Sequence, residues 1–353
     1  MHEPRMSQNS EVGTKPEHAD AADLPSRKWQ DVGLEQQGDL QLTVATFNVQ
    51  AEAFEYSTIP WGRWEQRRLR LVAAMMQGDP DIICLQEVDH FDDFFAPVLA
   101  QHGYTGIFVP KTKWPEKDGL PTEGQAIFFR SSEWELLASH CWTSFDVRRS
   151  RKLFSNWTAF IRPSSKDFEM HIAIDERLAM LPQITVGALL RSARCPKLPP
   201  VLVVSAHLKS RVKPHVLQRL TMPPEQLKTC QFMAFASAAR AALDGAVPLI
   251  FCGDLNQPLT SGGLQRAVVD CGFVDAYGYL AQPANPEHPQ PIDFILIDDA
   301  PSIKAVAMLE LPSTQELFGP PGRCSRWLPN AYYPSDHLAL AAKVAFGKAS
   351  QSV

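Results

Sequence analysis

The sequence predicts a layered α/β domain in which two sheets are covered by outer helices. Two observations lead there. From Leu40 onward, short apolar runs rich in β-branched and aromatic residues alternate with amphipathic stretches and turn signals. Polar residues able to do chemistry then stand where those runs end, the position at which α/β folds place their sites. The expected strands are 42–48, 81–87, 105–109, 125–130, 184–190, 201–207, 249–254, 294–297, 305–309 and 338–344. Between them, Phe91, Phe94, Phe95, Val98 and Leu99 recur at helical spacing, with Gly103 placed to end that helix. A second helix over 64–76 is closed by Asp79-Pro80, and an Ala-rich third, 227–243, follows Pro223-Pro224. Residues 111–123 read as a loop, as do 283–291, where repeated proline forbids helix and central strand alike.

In a chain of 353 residues, the domain is expected over 39–347. Residues 1–38 are polar with no helical or strand period and read as a mobile tail; 348–353 form a short tail at the other end. A formal charge of −5 argues against coating a polyanion, although it permits a local basic pocket. Seven cysteines without a CxxC pair suggest neither a zinc cage nor a disulfide framework, and fit a reducing compartment. No basic segment leads into an apolar one at the start, and no apolar run reaches the ~20 residues that span a bilayer. Acidic neighbours weaken Arg27 and Lys28 as a targeting signal. The expectation is a cytoplasmic monomer with no membrane contact and no scaffold-docking repeat, a mitochondrial or nuclear place remaining open.

The strand ends carry the chemistry. Asn48 closes Thr43-Val44-Ala45-Thr46-Phe47, and Glu87 closes Ile82-Ile83-Cys84-Leu85-Gln86. His207 closes Val203-Val204-Ser205-Ala206, while Asp254 and Asn256 follow Leu249-Ile250-Phe251-Cys252-Gly253. Asp293 precedes Phe294-Ile295-Leu296, and Ser335-Asp336-His337 precedes Leu338-Ala339-Leu340. Any one of these is an ordinary cap or turn former. The repetition of the pattern along the chain is not ordinary.

With these residues in view, the chain resembles the endonuclease/exonuclease/phosphatase superfamily. The carriers are Thr46-Phe47-Asn48, Leu85-Gln86-Glu87-Val88, Ala206-His207-Leu208-Lys209, Gly253-Asp254-Leu255-Asn256, Ile292-Asp293-Phe294-Ile295 and Ser335-Asp336-His337, in the superfamily's order. Cys84 to His90, Gly103-Tyr104, Arg211 and Tyr333-Pro334-Ser335-Asp336-His337-Leu338 are similar to its nocturnin and deadenylase/2′-phosphodiesterase branch. The resemblance implies a four-layer α/β/β/α sandwich of two packed mixed sheets, as in deoxyribonuclease I. It also implies a substrate: a nucleotide such as NADP(H), through its 2′-phosphate, or a single-stranded RNA 3′ end such as oligoadenylate. Glu123-Gly124 replaces the Asp-Gly of several deadenylases, and the proline-rich loop before Asp293 lacks the Thr-Trp common there.

Phosphate esters resist attack because their anionic oxygens repel nucleophiles, so a hard dication that neutralises them is the natural catalyst. Mg²⁺ is expected, with Mn²⁺ as a substitute, and Mg²⁺ needs only one or two protein carboxylates. Glu87 is the first ligand expected; Asn48 binds by its amide oxygen or orients Glu87, and Asp336 adds a contact through water. Asp254 and Asn256, one residue apart on an extended segment, project to one side and hold the attacking water. Asp293 fixes the tautomer of His337 and favours its cation, which stabilises the charge of the transition state; His207 donates to another phosphate oxygen. Asp254 is the choice for the base. Lys209 and Arg211, alternating after His207, and Lys111, which the resemblance implies by a matching basic position, are the expected substrate-phosphate contacts, against the plainer reading of a solvated basic rim. Arg148 to Lys152 read as a solvated loop, and Trp61 and Trp64 as helix-packing aromatics. The alternatives are an inactive nucleotide- or protein-binding member of the fold and an enzyme for inositol phosphates or sphingomyelin. A zinc hydrolase is weaker, since neither HxH nor HExxH spacing occurs.

Overall fold

The apolar runs are apolar on both faces because both faces are covered. The computed structural model describes residues 5–6, 24–32, 40–54, 62–111, 122–143, 183–210, 223–243, 247–261, 263–278, 291–318 and 328–347. Its strands are β1 (Arg5–Met6), β2 (Trp29–Asp31), β3 (Leu40–Asn48), β4 (Ile82–Val88), β5 (Tyr104–Pro110), β6 (Gly124–Arg130) and β7 (Trp134–Thr143). They continue with β8 (Ile184–Ser192), β9 (Val201–His207), β10 (Leu249–Asp254), β11 (Phe273–Asp275), β12 (Asp293–Asp298), β13 (Ile303–Leu309) and β14 (Leu340–Phe346). The helices are α1 (Trp64–Met75), α2 (Ala96–Gln101), α3 (Pro224–Ala241), α4 (Leu264–Asp270) and α5 (Thr314–Phe318). One sheet has the order β1-β5-β6-β4-β3-β14-β13-β2 and the other β11-β12-β10-β9-β8-β7.

Alternate side chains from both sheets meet in one core, where Leu42, Val44, Ile82, Cys84 and Ala342 pack with Val186, Val203, Ile250, Cys252 and Ile295. The intervening residues face outward. Phe47, Ile83 and Leu85 pack with Leu71 and Met75 of α1 and with Leu99 of α2. Val204, Phe251 and Leu296 pack with Phe232 and Phe235 of α3 and Val268 of α4. Each fully buried side chain of this size contributes ~1.5–3 kcal/mol. The result is the expected α/β/β/α sandwich.

Topology then builds a mouth. β3 and β4 run parallel in the first sheet, as do β9 and β10 in the second. β12 runs antiparallel to β10 with Asp293 opposite Asp254, and His207 stands opposite Asp254 on the other side. β14 is antiparallel to β3, so the turn entering it returns to the same end.

Several expectations change. Residues 91–99 begin as a π turn over Phe91–Phe95 before α2. The strands β7 and β11 and the helices α4 and α5 were not expected. Residues 24–32 do not belong to a detached tail: β2 pairs with β13, and Trp29 packs under the Lys343 ammonium, 4.5 Å from its ring centroid. Tertiary contacts override polar composition there. Trp64 does pack inward, stacked on His90 and edge-on to Phe94 and Phe95. Trp61, the run 148–152, the prolines within 283–290, Arg211 and 348–353 lie outside the described residues. Among the described residues, no helix is long and apolar enough to cross a membrane.

Candidate active site

Glu87 is delivered by a bulge. Gln86 pairs with Gln125 and Val88 with Gly124, which leaves Glu87 unpaired between them at φ +57°. A left-handed non-glycine residue costs on the order of 1–3 kcal/mol and persists only where its surroundings impose it. Here they do: Glu87 Oε1 accepts from Asn48 Nδ2 at 3.2 Å and Oε2 accepts from the Ala51 N–H at 3.3 Å. Asn48 Nδ2 also donates to Asp254 Oδ2 at 3.1 Å, while Asn48 Oδ1 accepts the Gln50 N–H at 3.0 Å. The Asn48 amide nitrogen is thus placed to orient Glu87, while its oxygen accepts from backbone.

Asp254 ends β10 immediately after Gly253. A Cβ at Gly253, φ +140°, would lie 1.9 Å from Ala206 O, so only glycine lets β10 approach β9 here. Asp254 is 1% exposed. Its Oδ1 accepts the Asn256 N–H at 2.7 Å and its Oδ2 accepts from Asn256 Nδ2 at 3.0 Å. Asn256 has φ +52°. The two side chains therefore meet because a left-handed turn folds Asn256 back onto Asp254, and the expected extended segment is absent. Lys228 Nζ on Asn256 O, at 2.6 Å, holds that turn.

The two histidines differ. His207 Nε2 lies 3.5 Å from Asp254 Oδ2 and 3.7 Å from Glu87 Oε1. Burial, then the charges of Lys111, His337 and Lys209, hold its pKa well below the usual value, which favours the neutral ring. His337 Nδ1 donates to Asp293 Oδ2 at 2.8 Å, and its Nε2 lies 3.7 Å from Asp254 Oδ2. Burial alone would lower His337, but Asp293 and Asp254 raise it well above the usual value, which favours its cation. Donor atoms of Asp254, Asp293 and His337 lie within 4.8 Å of one another. Within this trio the His337 Nδ1–Asp293 Oδ2 bond sets an imidazole–carboxylate pair beside the Asp254 carboxylate. Ser335 ties the turn down, its Oγ donating to Asn48 O at 2.7 Å and accepting the His337 N–H at 3.2 Å.

Glu87 and Asp254 are the anomalous groups. Burial, reinforced by the Glu123 carboxylate, pushes Glu87 up to about 7. Burial likewise pushes Asp254 up to about 7, with His337 opposing it and Asp293 adding to it. Two carboxylates joined through one amide, Asp254 buried and Glu87 partly so, make a donor set suited to a hard dication.

The basic contacts depart from expectation. Lys111 is buried and ion-paired with Glu123, so it is no solvated rim residue. β9 ends at His207, and Lys209 follows in a loop with its N–H donated to Gln231 Oε1 at 3.1 Å. Lys209 therefore does not continue a strand toward Arg211. Asp336 is exposed at the rim. Unforeseen was a polar belt beneath the mouth: Gln86 Nε2 donates to Ser205 Oγ at 3.0 Å and to Thr46 Oγ1 at 3.1 Å, joining the two sheets. Its signal was present, a Gln and a Ser inside otherwise apolar strands.

The model of the Endonuclease/Exonuclease/phosphatase family matches residues 45–337. Nocturnin of Xenopus laevis is 27% identical over 306 residues, spanning 81% of this chain and 66% of that protein. The chain thus covers just under two thirds of that relative's length. The Neurospora crassa CCR4-Not complex 3′-5′-exoribonuclease subunit Ccr4 is 38% identical over 108 residues, 28% of this chain and 14% of that one. The human nocturnin catalytic domain with bound sulfate superposes with a TM-score of 0.61 at 23% identity, over 91% of this chain and 97% of that chain, which shows the fold. With 45–337 matched from Ala45 before Asn48 through to His337, the chain belongs to the endonuclease/exonuclease/phosphatase family.

Proposed function

We propose that the chain hydrolyses a phosphate ester of a nucleotide or of an RNA 3′ end, using a bound divalent cation, Mg²⁺ first and Mn²⁺ as a substitute. The observation that carries this reading is the pair of carboxylates, buried Asp254 and partly buried Glu87, both raised to about 7 and both bonded to Asn48 Nδ2. Glu87 would hold the cation, with Asp336 reaching it from the rim through water and Asn48 keeping the carboxylate turned toward it. Such a cation, when bound, neutralises phosphoryl oxygens and polarises the ester.

The remaining work falls to side chains already in place. Asp254, at a pKa near the working pH, accepts the proton of the attacking water, which Asn256 helps to orient. His337, kept cationic by Asp293, offers Nε2–H to the oxygen on which charge accumulates. Neutral His207 donates to a second phosphoryl oxygen. Lys111, fixed by Glu123, and Lys209 with Arg211 supply positive charge for a further phosphate. The name of the 3′-5′-exoribonuclease relative favours an RNA 3′ end among these substrates.

The test is a panel of NADPH, oligoadenylate, an inositol phosphate and sphingomyelin, with phosphate, AMP and phosphocholine read separately. The expected result is Mg²⁺-dependent release from NADPH or oligoadenylate, stopped by EDTA. Turnover of the lipid or inositol substrate alone would overturn the substrate class, and no turnover at all would overturn the reading.

A further inference from the structure

Residues 24–32 cross the edge of the first sheet as a strap. Glu310 donates its N–H to Lys28 O at 2.8 Å, Val32 donates to Val306 O at 3.1 Å, and Gln77 Nε2 donates to Pro25 O at 2.8 Å. From the middle of this strap Arg27 turns inward. Its Nε donates to Glu310 O at 2.5 Å, one terminal nitrogen to Ala339 O at 2.7 Å and the other to Leu309 O at 3.3 Å. One guanidinium thus joins the end of β13 to the entry of β14.

That entry lies two residues beyond His337. The Ala339 N–H is donated to Tyr333 Oη at 2.9 Å, and the Ala341 N–H to Tyr277 Oη at 2.9 Å. Ala339 is therefore held on its N–H side by Tyr333 and on its carbonyl side by Arg27. At the other end of the turn, Ser335 is anchored to Asn48 O. We infer that Arg27 is a positioning residue for His337: it fixes where β14 begins, and so where the imidazole meets Asp293 and Asp254. The planar fork reaches carbonyls on two segments at once, which a lysine ammonium on a single flexible stem does not reproduce.

The inference rests on the hydrolytic role proposed for His337, and its experiment separates the two. In the full chain, Arg27→Ala and Arg27→Lys should each lower kcat ~10- to 100-fold while leaving KM within about twofold, the signature of a displaced reacting group. Both should also shift or broaden the downfield NMR resonance of the His337 Nδ1 proton bonded to Asp293. Val268→Ala, in α4 on the far face of the other sheet, should lower Tm but leave both readings unchanged. Should Arg27→Ala not fold, Arg27→Gln takes its place with the same readings expected. Wild-type kcat and an unmoved resonance in the Arg27 variants would overturn the inference, as would equal effects from Val268→Ala. If the wild-type protein turns over nothing, the hydrolytic reading fails and the resonance alone decides the role of Arg27.

Discussion

Asp298 and Glu87 are carboxylates at opposite ends of the sandwich, and their surroundings differ in kind. Asp298 ends β12 away from the mouth, accepting the Leu249 N–H at 2.8 Å and pairing with Arg240 at 2.6 Å. Asp81, just before β4 at the same end, accepts the Thr43 N–H at 2.7 Å and pairs with Arg194 at 2.8 Å. At the mouth, Glu87 and Asp254 share Asn48, while Lys111 is committed to Glu123 and His337 to Asp293. At the far end each of these carboxylates has an arginine partner. At the mouth, among the described residues, Glu87 and Asp254 stay raised to about 7 despite the charges of Lys111 and His337, and a carboxylate held so is completed by a proton or a cation.

The sharpest way to break this contrast is to remove the excess charge. Asp254→Asn and Glu87→Gln should each lower kcat/KM by ~10²–10⁴-fold or more. In EDTA at pH 8 the same variants should melt at a higher temperature than wild type. The sign follows from the raised pKa: the fold disfavours the ionised carboxylate, so above pH 7 each carboxylate destabilises the metal-free protein and a neutral amide does not.

Asp293→Asn should cost ~10²–10⁴-fold in kcat by leaving His337 without the partner that holds its proton. Because Asp293 is the largest influence raising the pKa of His337, the alkaline limb of the pH–rate profile should move to lower pH in this variant. Metal affinity offers a milder perturbation. Protons compete for Glu87 and Asp254 below about 7, so calorimetric Mg²⁺ affinity should fall as pH drops from about 8 to 6, by up to ~10-fold per unit for each proton displaced. The smallest effect belongs to the far end: Asp298→Ala strands the Leu249 N–H, which should cost about 1–3 kcal/mol in denaturant melts and leave kcat/KM unchanged.

The parts of this molecule legible in the sequence are those set by local pattern. β3, β4, β9 and β10 are covered on both faces, so each shows as a mainly apolar run, and the polar residue that ends each run marks the mouth. β7 escaped notice because Trp134–Thr143 is an edge strand of mixed polarity, mostly half-buried. The bulge that turns Glu87 inward depends on its pairing with Gln125 and Gly124, far along the chain. The left-handed turn at Asn256 obeys no apolar period. Arg27 stands in a segment whose composition resembles a tail, and its partners lie more than 280 residues away. Register, turn handedness and long-range capping are properties of the assembled sheets, so the pattern that brings Asn48, Glu87, His207, Asp254, Asn256, Asp293 and His337 together was readable while their geometry was not.

The central claim is that the Glu87 mouth binds a divalent cation, and titration of Mn²⁺ into the purified chain, followed by electron paramagnetic resonance, tests it most directly. Wild-type protein should remove Mn²⁺ from solution at pH 8, Mg²⁺ should release it, and Glu87→Gln should abolish the binding while Asp298→Ala retains it. Undiminished binding in Glu87→Gln, or no binding by the wild-type chain, would contradict the account.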